Sequence, residues 1–147
     1  MTRQHSYPPA DELNLKMVIA ILRAAKELEL KVTPCFKNGC VTFAQFGVLE
    51  FLYHKGPARI STIIEKTLSS GGNMTVVVRN LEAAGLVRRG QDAEDARASL
   101  IALTDKGEKL MGGLFPAHLK LLREFFAVLS DDAKRSAIGA LRALPGR

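Results

Sequence analysis

The sequence predicts a mainly α-helical protein with one small β-hairpin. Apolar residues recur at helical spacing through most of the 147 residues. The period changes only after Gly85, where LVRRG and ASLIALT read as two short strands around the polar segment QDAEDAR. A short helix, a tight turn, a second helix and then a hairpin is the order of a winged helix-turn-helix, and this is the fold class we expect.

Length and composition favour one globular domain spanning residues 1–147. The apolar fraction of 47% is enough for a core. No apolar run approaches the ~20 residues that span a bilayer, and the first residues do not have the pattern of a secretion signal. We therefore expect a cytoplasmic protein without a membrane partner. The formal net charge of +6 is compatible with nucleic acid but is spread along the chain, so charge alone indicates DNA only weakly.

A first helix is predicted over about residues 9–33, where Pro34 ends it. Its apolar positions at helical spacing are Leu13, Met17, Ala20, Ile21, Ala24 and Leu28. A small domain core cannot cover this face together with those of the C-terminal helices. We therefore expect a homodimer in which these terminal helices meet.

The predicted DNA-binding lobe covers about residues 42–104. Thr42 is a helix N-cap, and Gln45 completes a capping box. Gly56 ends that helix, and Ser61 opens a short one. A further helix, starting at Asn73 or the glycines before it, ends before Gly85. One of its faces can pack on the domain, through Met74, Val77, Val78 and Leu81.

The C-terminal part, about residues 105–145, is predicted to supply two dimerisation helices. Thr104 caps a long helix, which should be kinked near Gly112, Gly113 and Pro116. Ser130 caps the last helix.

Candidate DNA contacts cluster at the start of the helix that precedes Gly85. Backbone N–H groups and the helix dipole favour a phosphate there. Asn73 can read adenine, Arg79 can read guanine or hold phosphate, and the methyl groups of Thr75 and Val76 can touch a thymine methyl. An ordinary amphipathic surface helix is the alternative interpretation. The candidate contacts in this region are Ser61, Ser70, Gly72, Asn73, Thr75, Val76, Arg79 and Asn80.

The hairpin supplies further candidate contacts. Arg88 and Arg89 flank its first strand and Arg97 its second. A basic hairpin beside a groove-reading helix can place an arginine in the minor groove. We expect Asp95 to pair with Arg97 or Arg88 and to fix the direction of that arginine.

Two stretches carry a resemblance to a known family. TFAQFGVLEFLYHKGPARISTIIEKT (residues 42–67) and NLEAAGLVRRGQDAEDARASLIALTDKG (residues 80–107) resemble the multiple-antibiotic-resistance regulator (MarR) family of bacterial winged-helix transcription factors. The resemblance implies a homodimeric regulator, most often a repressor, on a pseudo-palindromic site in double-stranded DNA. It also implies release by a small phenolic ligand or by cysteine oxidation.

The chain departs from the family pattern at two places. Glu94 stands where an arginine is common in the wing, and Val76 follows Thr75 where many members have arginine. The stretch GNMTVVVRNLE looks more like a branch of the family in which some members respond to quinones or catechols. The resemblance therefore extends the candidate effectors to quinones.

The two cysteines, Cys35 and Cys40, lie in CFKNGC, which we expect to be a loop. A metal site would need further ligands, and the three histidines are not at ligand spacing, so no metal is expected. A redox switch is the second interpretation, because Lys37 could lower a thiol pKa and a turn could bring the two thiols together. Two packed thiols without a role is the third interpretation.

The remaining candidates concern an effector and rival functions. Phe36, Phe43 and Phe46 read as core, or as the lining of an effector pocket under the first helix. No base or oxyanion donors stand at a recognisable spacing, so we expect neither an enzyme nor a cofactor. The rival functions are a winged-helix protein-interaction module without DNA binding and a thiol-based peroxidase.

Overall fold

The computed structural model describes residues 7–38, 41–67, 71–91 and 99–144. Within these ranges the order of elements is α1, α2, β1, α3, α4, β2, β3, α5, α6. The helices are α1 Pro9–Asn38, α2 Phe43–Lys55, α3 Ile60–Lys66, α4 Gly71–Ala83, α5 Asp105–Phe125 and α6 Asp131–Arg142; the strands are β1 Ala58–Arg59, β2 Val87–Gln91 and β3 Ser99–Leu103. This confirms the winged helix-turn-helix. Among the described helices, none has the length and apolar character needed to span a membrane.

The first helix is longer than predicted. It runs through Pro34 to Asn38, so the prediction that the chain leaves the helix at Pro34 and forms a loop from Cys35 is wrong for residues 35–38. The reason is tertiary packing. Cys35 and Phe36, the two residues after Pro34, are 7% and 0% exposed. Burying Phe36 alone contributes about 1.5–3 kcal/mol, which offsets much of the ~3 kcal/mol that an interior proline costs.

Local signals set the limits of α2. Thr42 Oγ1 accepts from the backbone N–H of Gln45 at 3.2 Å, and Gln45 Oε1 accepts from the backbone N–H of Thr42 at 2.8 Å. The predicted capping box is therefore confirmed. Gly56 ends the helix with φ 78°, a conformation that glycine adopts without strain.

The hairpin belongs to a three-stranded antiparallel sheet of order β1-β3-β2. The predicted pairing of β2 with β3 is confirmed, in a register that runs from Val87 opposite Leu103 to Gln91 opposite Ser99. The sequence did not predict β1. It has two residues, Ala58 and Arg59, and a strand of that length has no periodicity to detect.

The core lies where α1 ends, between α2, α4, the sheet and the first half of α5. The predicted inner face of α4 is confirmed, since Met74, Val78 and Leu81 are 0% exposed. The largest fully buried side chains are Phe36, Leu49, Ile63, Met74, Leu81, Ile101 and Met111.

The terminal helices contrast with this core. No side chain of α6 is buried, and the apolar side chains of α1 before Leu28 are exposed in the single chain. Pro116 lies within α5, which is assigned as one helix over Asp105–Phe125. The kink stays a prediction.

Candidate nucleic-acid interface

The side of α4 opposite the core is open to solvent. Thr75, Val76, Arg79 and Asn80 are exposed there, and Val76 is 41% exposed. Arg79 has no ion-pair partner among the residues that the structure describes. One exposed face of α4 therefore carries the charge of Arg79, the polar groups of Thr75 and Asn80, and the methyl groups of Val76.

Other predicted contacts are placed only in part. Ser61 is exposed in the first turn of α3, and Gly72 and Asn73 lie in the first turn of α4. The side chain of Asn73 lies outside the described part of the structure, as do Ser70, Asp95, Arg97 and Cys40.

A glycine sets the exit from α4. Gly85 adopts φ 69°, its N–H donates to the carbonyl of Glu82 at 2.9 Å, and the N–H of Leu86 donates to the carbonyl of Leu81 at 2.9 Å. These two bonds around a left-handed residue form a Schellman motif. The motif turns the chain directly from α4 into the first wing strand.

The start of α5 holds this turn in place. Thr104 Oγ1 donates to the carbonyl of Gly85 at 2.6 Å and accepts from the N–H of Gly107 at 3.1 Å. Lys106 Nζ donates to the carbonyl of Ala84 at 2.7 Å. The end of α4 is therefore fastened to the helix that leads into the C-terminal part.

Gly107 permits the close approach of the two elements. A Cβ at this position would overlap the carbonyl oxygen of Leu86. Gly107 ends the stretch that resembles the MarR family, but the sequence did not predict this contact, because the partner backbone lies 21 residues earlier in the chain.

The two arginines of β2, Arg88 and Arg89, have different surroundings. Arg89 Nε lies 2.9 Å from each carboxylate oxygen of Glu82 in α4. Arg88 is exposed and has no ion-pair partner among the described residues. The predicted partner, Asp95, is outside those residues. Sequence reasoning missed the Glu82–Arg89 pair, because its members lie in a helix and in a strand on either side of the turn at Gly85, and no single period relates them.

Cys35 is a poor candidate for a reactive thiol. It is 7% exposed, and its Sγ lies 4.0 Å from the carbonyl of Leu114. Burial raises the pKa of the Cys35 thiol, which argues against the redox interpretation for this cysteine. A raised pKa leaves little of the nucleophilic thiolate at neutral pH. In the ranges described, no three His, Cys, Asp or Glu side chains gather in a way that could hold a metal ion.

Two of the three predicted effector residues are core residues. The rings of Phe36 and Phe46 stack at a centroid distance of 4.2 Å, and His118 lies 4.8 Å from Phe46. His118 is 8% exposed, and its Nδ1 is buried without a hydrogen-bond partner in the described structure. Burial lowers the pKa of His118, and the charge of Glu50 partly opposes this effect.

A groove of about 600 Å³ lies between α2 and the end of α3. Its walls are the side chains of Phe43, Ala44, Gly47, Glu50, Phe51, His54, Lys55, Lys66 and Thr67. Phe43, which is 52% exposed, is the predicted effector residue that lines it. The lining combines the aromatic rings of Phe43 and Phe51 with three basic side chains and the carboxylate of Glu50. Lys66 Nζ also lies 2.8 Å from Glu65 Oε1, in an exposed ion pair.

The sequence and fold have relatives among known proteins. Residues 41–98 match the model of the MarR family. The HTH-type transcriptional regulator MhqR of Bacillus subtilis (strain 168) is 32% identical over 121 residues, which are 82% of this chain and 83% of that protein. This chain belongs to the MarR family. It is a DNA-binding transcriptional regulator, as MarR proteins are, and not an enzyme.

Solved MarR-type structures share the fold. Sco3205, a MarR family transcriptional regulator from Streptomyces coelicolor in complex with DNA, matches with a TM-score of 0.80 at 21% identity, over 96% of this chain and 89% of that one. BpsR of Bordetella bronchiseptica, whose DNA binding is regulated by 6-hydroxynicotinic acid, matches with a TM-score of 0.77 at 22% identity, over 86% and 96%.

Proposed function

We propose that this MarR protein is a cytoplasmic, homodimeric repressor that binds a pseudo-palindromic operator in double-stranded DNA and is released by a small aromatic ligand. The observation that carries the proposal is the exposed face of α4, which is free of the core and of ion pairs among the described residues.

This face has the chemistry of base recognition. Arg79 can donate two hydrogen bonds to guanine, and Thr75 and Val76 offer methyl groups to thymine. Arg88 supplies a cation for phosphate or for the minor groove. Asn73, Asn80, Ser61, Ser70 and Gly72, with Asp95 and Arg97 of the wing, complete the proposed contact set.

The exposed apolar faces of the terminal helices support the homodimer. On α1, Leu13 is 69% exposed and Met17 is 45% exposed, and on α6 Ile138 is 49% exposed. Because each is already partly buried, covering the exposed remainder contributes about 0.7–2 kcal/mol per side chain. A symmetric partner buries each of them twice and sets two α4 helices about one turn of DNA apart.

The groove beside α2 supports an aromatic, acidic effector. A volume of about 600 Å³ suits a small molecule. Phe43 and Phe51 can contact a ring, while Lys55 and Lys66 favour a carboxylate or phenolate. The regulation of BpsR by 6-hydroxynicotinic acid, an aromatic acid, is consistent with this ligand class.

Thiol oxidation is the less favoured trigger. The buried Cys35 is poorly accessible to peroxide and to quinones, and its raised pKa keeps it protonated. A ligand acts differently, since it needs only unequal affinity for two conformations. Moving a 1:99 population to 99:1 takes about 5.5 kcal/mol of that difference.

Fluorescence anisotropy on duplexes from the DNA upstream of its own gene tests the proposal. Titrations in dithiothreitol would be repeated with 6-hydroxynicotinic acid or catechol, and separately with peroxide or benzoquinone. We expect tight, sequence-dependent binding that the aromatic compounds weaken. Lys66→Met should blunt the response, whereas Lys109→Met, exposed on α5 and away from the groove, should not.

The other results would redirect the proposal. Release by oxidant that reductant reverses would assign regulation to the cysteines. Binding no tighter than to a scrambled duplex would overturn the repressor and favour a protein-interaction module.

A further inference from the structure

One ion pair joins α4, the recognition helix of the proposed function, to the wing, which is the hairpin of β2 and β3. Glu82 lies in the last turn of α4 and Arg89 lies in β2, opposite Ile101 of β3. Arg89 Nε is 2.9 Å from both carboxylate oxygens of Glu82. The Glu82 side chain is 27% exposed and that of Arg89 40%, so the pair stands at the edge of the surface.

Strand geometry gives the two neighbouring arginines opposite roles. Side chains alternate between the faces of a strand, so Arg89 shares the face of Val87, which is 3% exposed and packs toward the core. Arg88 points to the other face and is exposed, without an ion pair among the described residues. The charge of Arg89 is therefore balanced within the protein, and that of Arg88 is available to DNA.

The pair is not required to hold the end of α4. The Schellman turn at Gly85 and the bonds from Thr104 and Lys106 already fix it. A partly exposed ion pair also adds little to folding stability. The pair therefore acts mainly on direction: Glu82 sets where Arg89 of the wing points relative to α4.

We propose that Glu82 is a specificity-determining positioning residue for DNA: by holding Arg89 against α4, it keeps this cation from phosphates of any sequence and fixes the wing relative to the recognition helix. This rests on the proposed function. Phosphate contacts raise affinity for every duplex alike and carry no sequence information. An arginine released from Glu82 therefore strengthens binding to unrelated DNA more than to the operator.

The test compares Glu82→Gln with the full-length wild type. Affinity for the best upstream duplex and for a scrambled duplex of equal length and composition is measured by anisotropy over a salt series. For the variant we expect tighter binding to scrambled DNA, with a logarithmic salt slope steeper by about 0.9, the value for one added phosphate contact. The ratio of the two affinities should fall.

Two arginine variants make the test specific to this pair. Arg88→Met should make the slope on scrambled DNA shallower by about 0.9, whereas Arg89→Met should leave it unchanged. In the double variant Glu82→Gln, Arg89→Met, the slope should return to the wild-type value. A purely structural pair would not produce this pattern, and the arginine comparison does not depend on the folding of Glu82→Gln.

Several results would overturn the inference. An unchanged slope and ratio in Glu82→Gln, with only a lower melting temperature, would make the pair structural. Equal slope changes in Arg88→Met and Arg89→Met would show that both arginines touch phosphate. If the wild type binds both duplexes with equal affinity, the proposed function and this inference are both overturned. If the wild type prefers the upstream duplex and Glu82→Gln shows the same affinity ratio, only this inference is overturned.

Discussion

The winged-helix lobe buries its apolar faces within the single chain, whereas the terminal helices leave theirs exposed. In the lobe, Leu49, Ile63 and Met74 are 0% exposed within a single chain. On α1, Leu13 is 69% exposed, and on α6, Leu141 is 46% exposed, although their apolar residues recur at the same helical spacing. The comparison shows that periodicity reports an apolar face and does not report whether its partner lies in the same chain.

The helix α5 belongs to both regions. Its first half buries Met111 and Leu114 against the lobe, and its start fastens the turn after α4 through Thr104 and Lys106. The start of α5 and the end of α4 are therefore linked directly. In the proposed dimer, this link is the route by which we expect a movement of the terminal helices to alter DNA binding.

The largest expected effect is on the terminal helices. Met17→Asp should convert the dimer into monomers and abolish tight operator binding. Met17 is 45% exposed in the single chain, so burying the remainder in both subunits of the proposed dimer contributes about 1.4–2.7 kcal/mol, which the variant loses. Sedimentation velocity measures it. Arg23→Asp places the same carboxylate at an exposed position of α1 outside the predicted apolar face, and it should leave the dimer intact. Equal effects of the two substitutions would show that the apolar face of α1 is not the dimer contact.

The second effect tests the junction between the regions. Gly107→Ala should lower the free energy of unfolding by about 1–3 kcal/mol, because its Cβ would overlap the carbonyl oxygen of Leu86. Urea unfolding provides the value. Gly113→Ala on the same helix meets open space and should stabilise by about 0.5–1 kcal/mol. If both substitutions change the free energy of unfolding in the same direction, the close approach at Gly107 does not constrain the fold.

The third effect concerns the exposed face of the lobe. Arg79→Ala should weaken operator binding by about 1–3 kcal/mol if Arg79 reads a base. Anisotropy on the operator and on a scrambled duplex separates the two roles. An equal loss on both would make Arg79 a phosphate contact.

The smallest expected effect is a pH dependence of the free energy of unfolding, caused by His118 where α5 packs on the lobe. Because burial lowers the pKa of His118 below its ordinary value near 6.5, the unfolded chain takes up a proton first as the pH falls. The stability contributed by neutral His118 is therefore complete above about pH 6.5 and declines from there down to the lower folded pKa. The slope is at most about 1.4 kcal/mol per pH unit, the value for one proton.

Urea unfolding at a series of pH values tests this dependence. His118→Phe should flatten the slope in that window, because it removes the titrating group while keeping an aromatic ring beside Phe46. His54→Gln, a change at an exposed histidine, should keep the slope. An unchanged slope in His118→Phe would assign the pH dependence to other groups.

The sequence by itself determined the order of the helices and of the β2–β3 hairpin, and the boundaries that local caps set. The capping box of Thr42 and Gln45 and the left-handed Gly85 are set by hydrogen bonds between near neighbours, so a short stretch contains all the information. The inner face of α4 follows from spacing alone. The exposed face of α4, including Arg79, could be named for the same reason.

Only the tertiary structure decided the features that depend on distant residues. Packing of Phe36 carries α1 past Pro34, and burial removes Cys35 from solvent. The strand β1 exists because β3 supplies its hydrogen bonds, and Arg89 finds Glu82 because the Schellman turn folds β2 back beside α4. These contacts join residues that are close in space and share no period along the chain, and no local pattern encodes such contacts.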